Sequence, residues 1–99
     1  MNGPRYKVAF TGLASEQLKA VVRRAESYDK PALFADAIRL LLEQLVSKPN
    51  EVGEPMYRLQ SMKMDVRRVA LAPVYLEYGV HRTEPLVIVR RVVGMAEPE

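Results

Sequence analysis

The chain changes its hydrophobic period once, across residues 48–55, and that change fixes which structural layers it can build and in what order. Up to Ser47 apolar residues recur at spacings of three and four, as on a helix with one buried stripe. From Met56 onward that period disappears and β-branched residues accumulate, as they do in strands. The stretch between, Lys48-Pro49-Asn50-Glu51-Val52-Gly53-Glu54-Pro55, is rich in turn formers and reads as an ordered loop.

Two helices fit the first half better than one. Leu18, Val21, Val22, Ala25 and Tyr28 form one stripe, with Lys19, Arg23, Arg24 and Glu26 on the other face. Ser15 stands where an N-cap is wanted and Glu16 suits the positive end of the helix dipole, so the helix is expected to begin there. Tyr28-Asp29-Lys30-Pro31 interrupts the stripe, because Pro31 cannot continue a helix but suits the first turn of the next, with Asp29 or Lys30 near its cap. Phe34, Ala37, Ile38, Leu41, Leu42 and Leu45 then form a second stripe, widened by Leu33 and Leu40 and ended before Lys48-Pro49.

Strands are expected on both sides of this hairpin. Tyr6 to Thr11 partially alternates and stops at Gly12. After the loop, three candidates follow: roughly Tyr57 to Leu71 with an interruption near Met62-Lys63, Val74 to His81, and Leu86 to Val93. In the middle one Val74, Leu76, Tyr78 and Val80 share a core face, with Tyr75, Glu77, Gly79 and His81 opposite. The last, Leu86-Val87-Ile88-Val89, is apolar on both faces, as an interior strand should be. The expected fold is α+β: a strand, a two-helix hairpin, then a three-strand antiparallel meander, β-α-α-β-β-β. The hairpin covers one face of the sheet and leaves the other for function.

With 99 residues, 48% of them hydrophobic and 27% charged, one globular domain is expected, ordered over about 5–94 with an acidic tail at 95–99. There is no cysteine, which removes disulfides, thiolate metal sites and a cysteine nucleophile. His81 is the only histidine and no carboxylates are spaced as a binding loop, so no metal centre or histidine triad is expected, and no cofactor. The N-terminus has no apolar targeting core and no segment suits a membrane, so the expected compartment is the cytoplasm.

Charge is uneven. Residues 1–55 carry eight Lys/Arg against seven Asp/Glu, while residues 56–91 carry seven basic residues against three acidic ones, Asp65, Glu77 and Glu84. The basic half holds Arg58, Lys63, Arg67, Arg68, Arg82, Arg90 and Arg91, interleaved with Tyr57, Tyr75 and Tyr78. Guanidinium forks match phosphate oxygens and aromatic rings stack on unpaired bases, so this mixture suits single-stranded RNA. Arginines on exposed strand positions also serve as solubility and edge-protecting residues, and strand tyrosines as packing residues. Strict alternation places one member of the Arg67-Arg68 pair, and one of the Arg90-Arg91 pair, on each face.

The run from Pro49 to Leu59, with Gly53-Glu54-Pro55-Met56 and Arg58-Leu59 inside it, resembles the loop and following strand of RelE/ParE-like toxins. Asp65-Val66-Arg67-Arg68-Val69 is similar to that superfamily's basic strand, Val74-Tyr75-Leu76-Glu77-Tyr78-Gly79-Val80 to its Tyr-rich strand, and Leu86 to Val92 to its last strand. The resemblance covers residues 5–94 and implies the toxin component of a toxin–antitoxin pair, with a cognate antitoxin as partner. RelE-like members cleave messenger RNA on the ribosome without metal, through basic and aromatic side chains. ParE-like members inhibit DNA gyrase by binding it.

Transferred to this chain, the resemblance places Arg67 and Arg68 beside a scissile phosphate, with Tyr75 as a third catalytic candidate. It places Arg58 near the site entrance and supplies Arg90 or Arg91 from the last strand. Lys63 and His81 complete the candidate RNA-binding or anion-binding set. The chain departs from the pattern in two places: Tyr75 stands where an arginine is common, and Gly94-Met95-Ala96-Glu97-Pro98-Glu99 is acidic where catalytic relatives carry basic and Tyr or His residues. A proton-transfer partner then has to be Tyr75, Tyr78 or His81. Two functions are expected: a toxin component that contacts RNA or the ribosome through a basic sheet face, or a non-catalytic protein-interaction module of the same fold. The second is either gyrase-directed or non-toxic, and it docks a peptide or a second copy of itself.

Overall fold

The computed structural model describes residues 5–27 and 29–95. Its elements run β1 (Lys7–Phe10), α1 (Gly12–Ser27), α2 (Pro31–Ser47), β2 (Glu54–Leu59), a single 3-10 turn (Gln60–Met62), β3 (Met64–Leu71), β4 (Val74–His81) and β5 (Leu86–Gly94). The architecture is α+β: one five-stranded sheet, in the order β1-β5-β4-β3-β2, with the helical hairpin on one face.

The long first strand candidate is two strands. Lys63 adopts a left-handed φ of 53° after the 3-10 turn, which reverses the chain at the interruption near Met62-Lys63. The two halves then pair antiparallel, so the meander has four strands, not three, and the order is β-α-α-β-β-β-β. β1 joins it in parallel with the start of β5, which makes β5 interior and accounts for its two apolar faces.

α1 begins at Gly12, three residues before the Ser15 cap expected from sequence. The cap is Thr11, whose Oγ1 accepts the Ala14 N–H at 3.0 Å. Gly12 therefore opens the helix. The hairpin turn matches expectation: α2 starts on Pro31, and Asp29 takes the positive φ of 59° that turns the chain between the helices.

The core is a single cluster. Val21 and Ala25 of α1 and Phe34, Ala37, Leu41 and Leu45 of α2 meet Val74, Leu76, Tyr78 and Val80 of β4 and Val87, Val89 and Val92 of β5. The second stripe and the buried face of the middle strand are as expected, and the first stripe holds at Leu18, Val21 and Ala25 but not at Val22, which is exposed. Leu33 and Leu40 lie outside the core and are exposed. Tyr28, the expected end of the first stripe, and residues 96–99 of the acidic tail lie outside the described residues.

Candidate functional site

Register sorts the basic residues into faces, because directly paired strand residues point the same way. Tyr78 is in the core beneath the helices, so Arg67, its partner in β3, lies on the helix face, as does Arg58 through Asp65 and Val80. Arg68, paired with Glu77, lies on the opposite, open face. The Arg67-Arg68 pair thus divides as alternation requires, and the two do not converge.

The Arg90-Arg91 pair does not divide. A one-residue bulge in β5, opposite Glu77 and Tyr78, leaves Arg90 extra in the ladder. Arg91 pairs with Glu77 on the open face, and Arg90 donates from Nη1 to the Tyr57 hydroxyl at 3.1 Å on that same face. This bond reaches from β5 to β2 across the row Tyr57, Val66, Gly79, Ile88. Val66 is fully buried although, among the described residues, no helix packs on this side. Gly79 gives room here, since a Cβ on it would meet the Met64 Sδ at 2.9 Å.

The open face therefore brings together Arg68, Tyr75, Arg90 and Arg91, with Tyr57 beside them. It also brings two acids that the candidate set omitted. Glu54, Arg68, Glu77 and Arg91 stand in one cross-strand row, one residue from each of β2 to β5. Arg68 Nε lies 3.3 Å from Glu54 Oε1, with both side chains about half exposed or more. The row carries two positive and two negative charges, so the excess positive charge of the face comes from Arg90 and from Lys7, which pairs with Leu86 at its β1 edge. Glu54 and Glu77 could be found from sequence only once the strand register was known.

Arg67 and Tyr78 have structural partners. The Tyr78 hydroxyl lies 2.9 Å from the Pro49 carbonyl and 2.8 Å from that of Val52. Arg67 donates to the carbonyls of Val52 and Gly53 at 3.3 Å. Together they hold the 48–53 loop onto the sheet. Burial raises the Tyr78 pKa above the ordinary 10.0, partly offset by the hydrogen bond and positive charge of Arg67. A hydroxyl held this way donates hydrogen bonds and is a poor base.

The remaining candidates lie at the end of the sheet where β4 turns into β5. His81 Nδ1 accepts the backbone N–H groups of Thr83 at 3.3 Å and Glu84 at 3.1 Å, fastening that turn and leaving its proton on Nε2. Lys63 sits alongside, its carbonyl accepting the Arg82 N–H at 2.9 Å. Arg58 is paired with Asp65 at 3.2 Å, in a polar cleft that Tyr6, Asn50, His81 and Glu84 also line. Among the described residues no group of three or more His, Cys, Asp or Glu could hold a metal, and no helix is long and apolar enough to cross a membrane.

Sequence reasoning also missed Gln17. β1 covers only the first half of β5, so the backbone of Arg90 to Gly94 forms a sheet edge beside α1. The Gln17 Oε1 accepts the Val92 N–H at 2.8 Å and closes that edge. A helix-to-strand contact of this kind has no spacing signal.

This arrangement defines the fold class: a helical hairpin following a first strand, packed on a sheet whose other strands form a meander. The same fold occurs in a solved chain of the chromosomal ParDE TA system from P. aeruginosa, with a TM-score of 0.64 and 16% identity, covering 95% of this chain and 100% of that one. No protein-family model matches the chain, and no curated protein does.

Proposed function

We propose that this chain is the toxin-like component of a toxin–antitoxin pair, held by a cognate antitoxin and acting by binding a protein target such as DNA gyrase instead of cutting RNA. The fold shared with the ParDE chain over nearly the whole length supports the toxin–antitoxin assignment. One observation carries the non-nuclease form: the candidate groups are divided, and the open face that gathers Arg68, Tyr75, Arg90 and Arg91 also carries Glu54 and Glu77 in the same row and lacks Arg67 and Tyr78. Arg67 and Tyr78 are bound to loop carbonyls, His81 is bound to its own turn, and Arg68 stands in a neutral charge row.

A surface suited to an antitoxin segment lies between the helices. Leu18 and Val22 of α1 and Ile38, Leu42 and Val46 of α2 line a groove of about 870 Å3, bordered by Arg5, Arg39 and Glu43. Val22 is 45% exposed there, an apolar surface that an amphipathic segment would cover.

RNA contact is the second reading, favoured by the bulge that sets Arg90 and Arg91 on the face of Arg68, Tyr57 and Tyr75. Three arginines limit the slope of log K against log salt on single strands to about −2. The deciding experiment incubates the purified chain with translating ribosomes and maps messenger RNA ends. It also captures the product of a short acidic reading frame beside the gene, at low and at high salt. Intact messenger RNA and capture that survives high salt are expected. Codon-associated cleavage would overturn the binding form, and failure to bind any adjacent product would overturn the antitoxin assignment.

A further inference from the structure

The open face carries an alternating row of charge that the chain's own contacts leave half used. Glu54 and Arg68 pair with each other. Among the described residues, Glu77 and Arg91 form no ion pair, although each has an opposite charge beside it in register. Apolar rows flank the charges on both sides: Ala70, Tyr75 and Val93 above, and Tyr57, Val66, Gly79 and Ile88 below. Tyr57 is 47% exposed. A neutral row framed by apolar residues, with Tyr57 and Ala70 exposed, Tyr75, Ile88 and Val93 half-buried and Val66 and Gly79 buried, is unlike a phosphate-binding face and like one half of a protein interface.

We propose that the occupant of this face is a second copy of the same chain, related by a two-fold axis parallel to the strands and midway between β3 and β4. Rotation about that axis lays β3 of one copy on β4 of the other, and β2 on β5. Arg68 then faces Glu77, and Glu54 faces Arg91, so all four charges of each copy meet opposite charges. The other in-plane axis, across the strands, would stack Arg68 on Arg68 and Glu77 on Glu77. The sequence of signs thus selects one isologous geometry.

That geometry also suits sheet packing. Strands of the two copies run nearly aligned, as in face-to-face sheets, and twist separates the outer pairs while the inner Arg68–Glu77 pairs stay near the axis. The overlap of four strands, β2 to β5, over about eight residues offers roughly 500 Å2 per copy, at the low end for a specific interface, so the dimer should be weak and concentration-dependent. The groove between the helices lies on the other side of the sheet. Self-association and antitoxin binding therefore stand or fall separately.

The test is sedimentation of the full-length chain, with circular dichroism reporting folding. The wild type is expected to dimerise as concentration rises. Arg68→Glu and Glu77→Arg each place like charges at the axis and should weaken the dimer at least tenfold, about the least that facing like charges cost. An equimolar mixture of the two variants should regain the dimer, because both inner pairs are again of opposite charge. The double variant Arg68→Glu/Glu77→Arg restores complementarity within one chain and should dimerise like the wild type, which provides a second test if either single variant unfolds. Wild-type protein that stays monomeric up to about 1 mM, the weak limit of specific association, overturns the proposal whatever the variants do. So does a mixture or a double variant that associates no better than the single variants.

Discussion

Replacing Tyr78 with phenylalanine tests whether the 48–53 loop is held by side-chain donors. The ring is fully buried and remains, so no cavity opens. What is lost is one hydroxyl that lies within hydrogen-bonding distance of the carbonyls of Pro49 and Val52. The Val52 carbonyl keeps Arg67, whereas the Pro49 carbonyl loses the partner it has here. A buried carbonyl left unpaired costs about 1–3 kcal/mol. Taking about 2 kcal/mol, a domain of this size should melt about 8–16 °C lower. Tyr75→Phe is the control, since its hydroxyl has no hydrogen bond among the described residues, and it should stay within about 0.5 kcal/mol of the wild type.

The pH dependence gives an independent check. Burial raises the folded-state pKa of Tyr78 above the ordinary 10.0. Below 10 both folded and unfolded chains keep the proton, and the stabilisation is fully present. Between 10 and the folded-state value the unfolded chain loses its proton while the folded chain retains it, so stability falls as pH rises. Tyr78→Phe lacks this slope, and the gap between wild type and variant should narrow above pH 10. The readouts are calorimetric melting at neutral pH and urea titrations from pH 8 upward. A variant as stable as the wild type at neutral pH, or a gap that widens above pH 10, would refute the reasoning.

Two further substitution pairs separate neighbouring readings. Thr11→Ala should cost about 1 kcal/mol by removing the cap of α1, whereas Ser15→Ala should change stability by less than about 0.5 kcal/mol; a larger loss at Ser15 in urea titrations would return the helix start to that residue. Gly53→Ala should destabilise by at least about 1–2 kcal/mol, the usual penalty for a left-handed Cβ, because Gly53 has a φ of +69° and the new Cβ would press on the Arg68 carbonyl. Gly12→Ala meets nothing within 4 Å, and equal melting shifts for the two glycine variants would count against the strained turn.

The helices, β4 and β5 were legible because period and burial agree in them. Ala37, Leu41 and Leu45 are buried where the stripe predicts, and β4 buries Val74, Leu76, Tyr78 and Val80. What could not be read was geometry that breaks the period. A reversal through a left-handed Lys63 leaves little local trace, because lysine has no preference for that conformation, so β2 and β3 look like one interrupted strand. The bulge at Arg90 likewise turns an alternating pair into two arginines on one face. A single extra residue is invisible to a count of two.

The site departs further from its expectation, and one topological fact explains much of the departure. α2 ends beside β1, where the Val46 carbonyl accepts the Tyr6 N–H, but the next strand in sequence is β2, at the far edge of the sheet. The 48–53 loop must cross from one side to the other, and Pro49 at its start is fully buried. Buried carbonyls require donors. Within the β4 stripe of Val74, Leu76, Tyr78 and Val80, only Tyr78 has a side-chain donor, and Arg67 is its neighbour in register on β3. Both residues attract attention as potential catalysts because they are polar in strands that are otherwise apolar or surface-facing. The crossing loop gives them a sufficient role in backbone satisfaction, and it moves the question of function to the open face, where Glu54 and Glu77 balance Arg68 and Arg91.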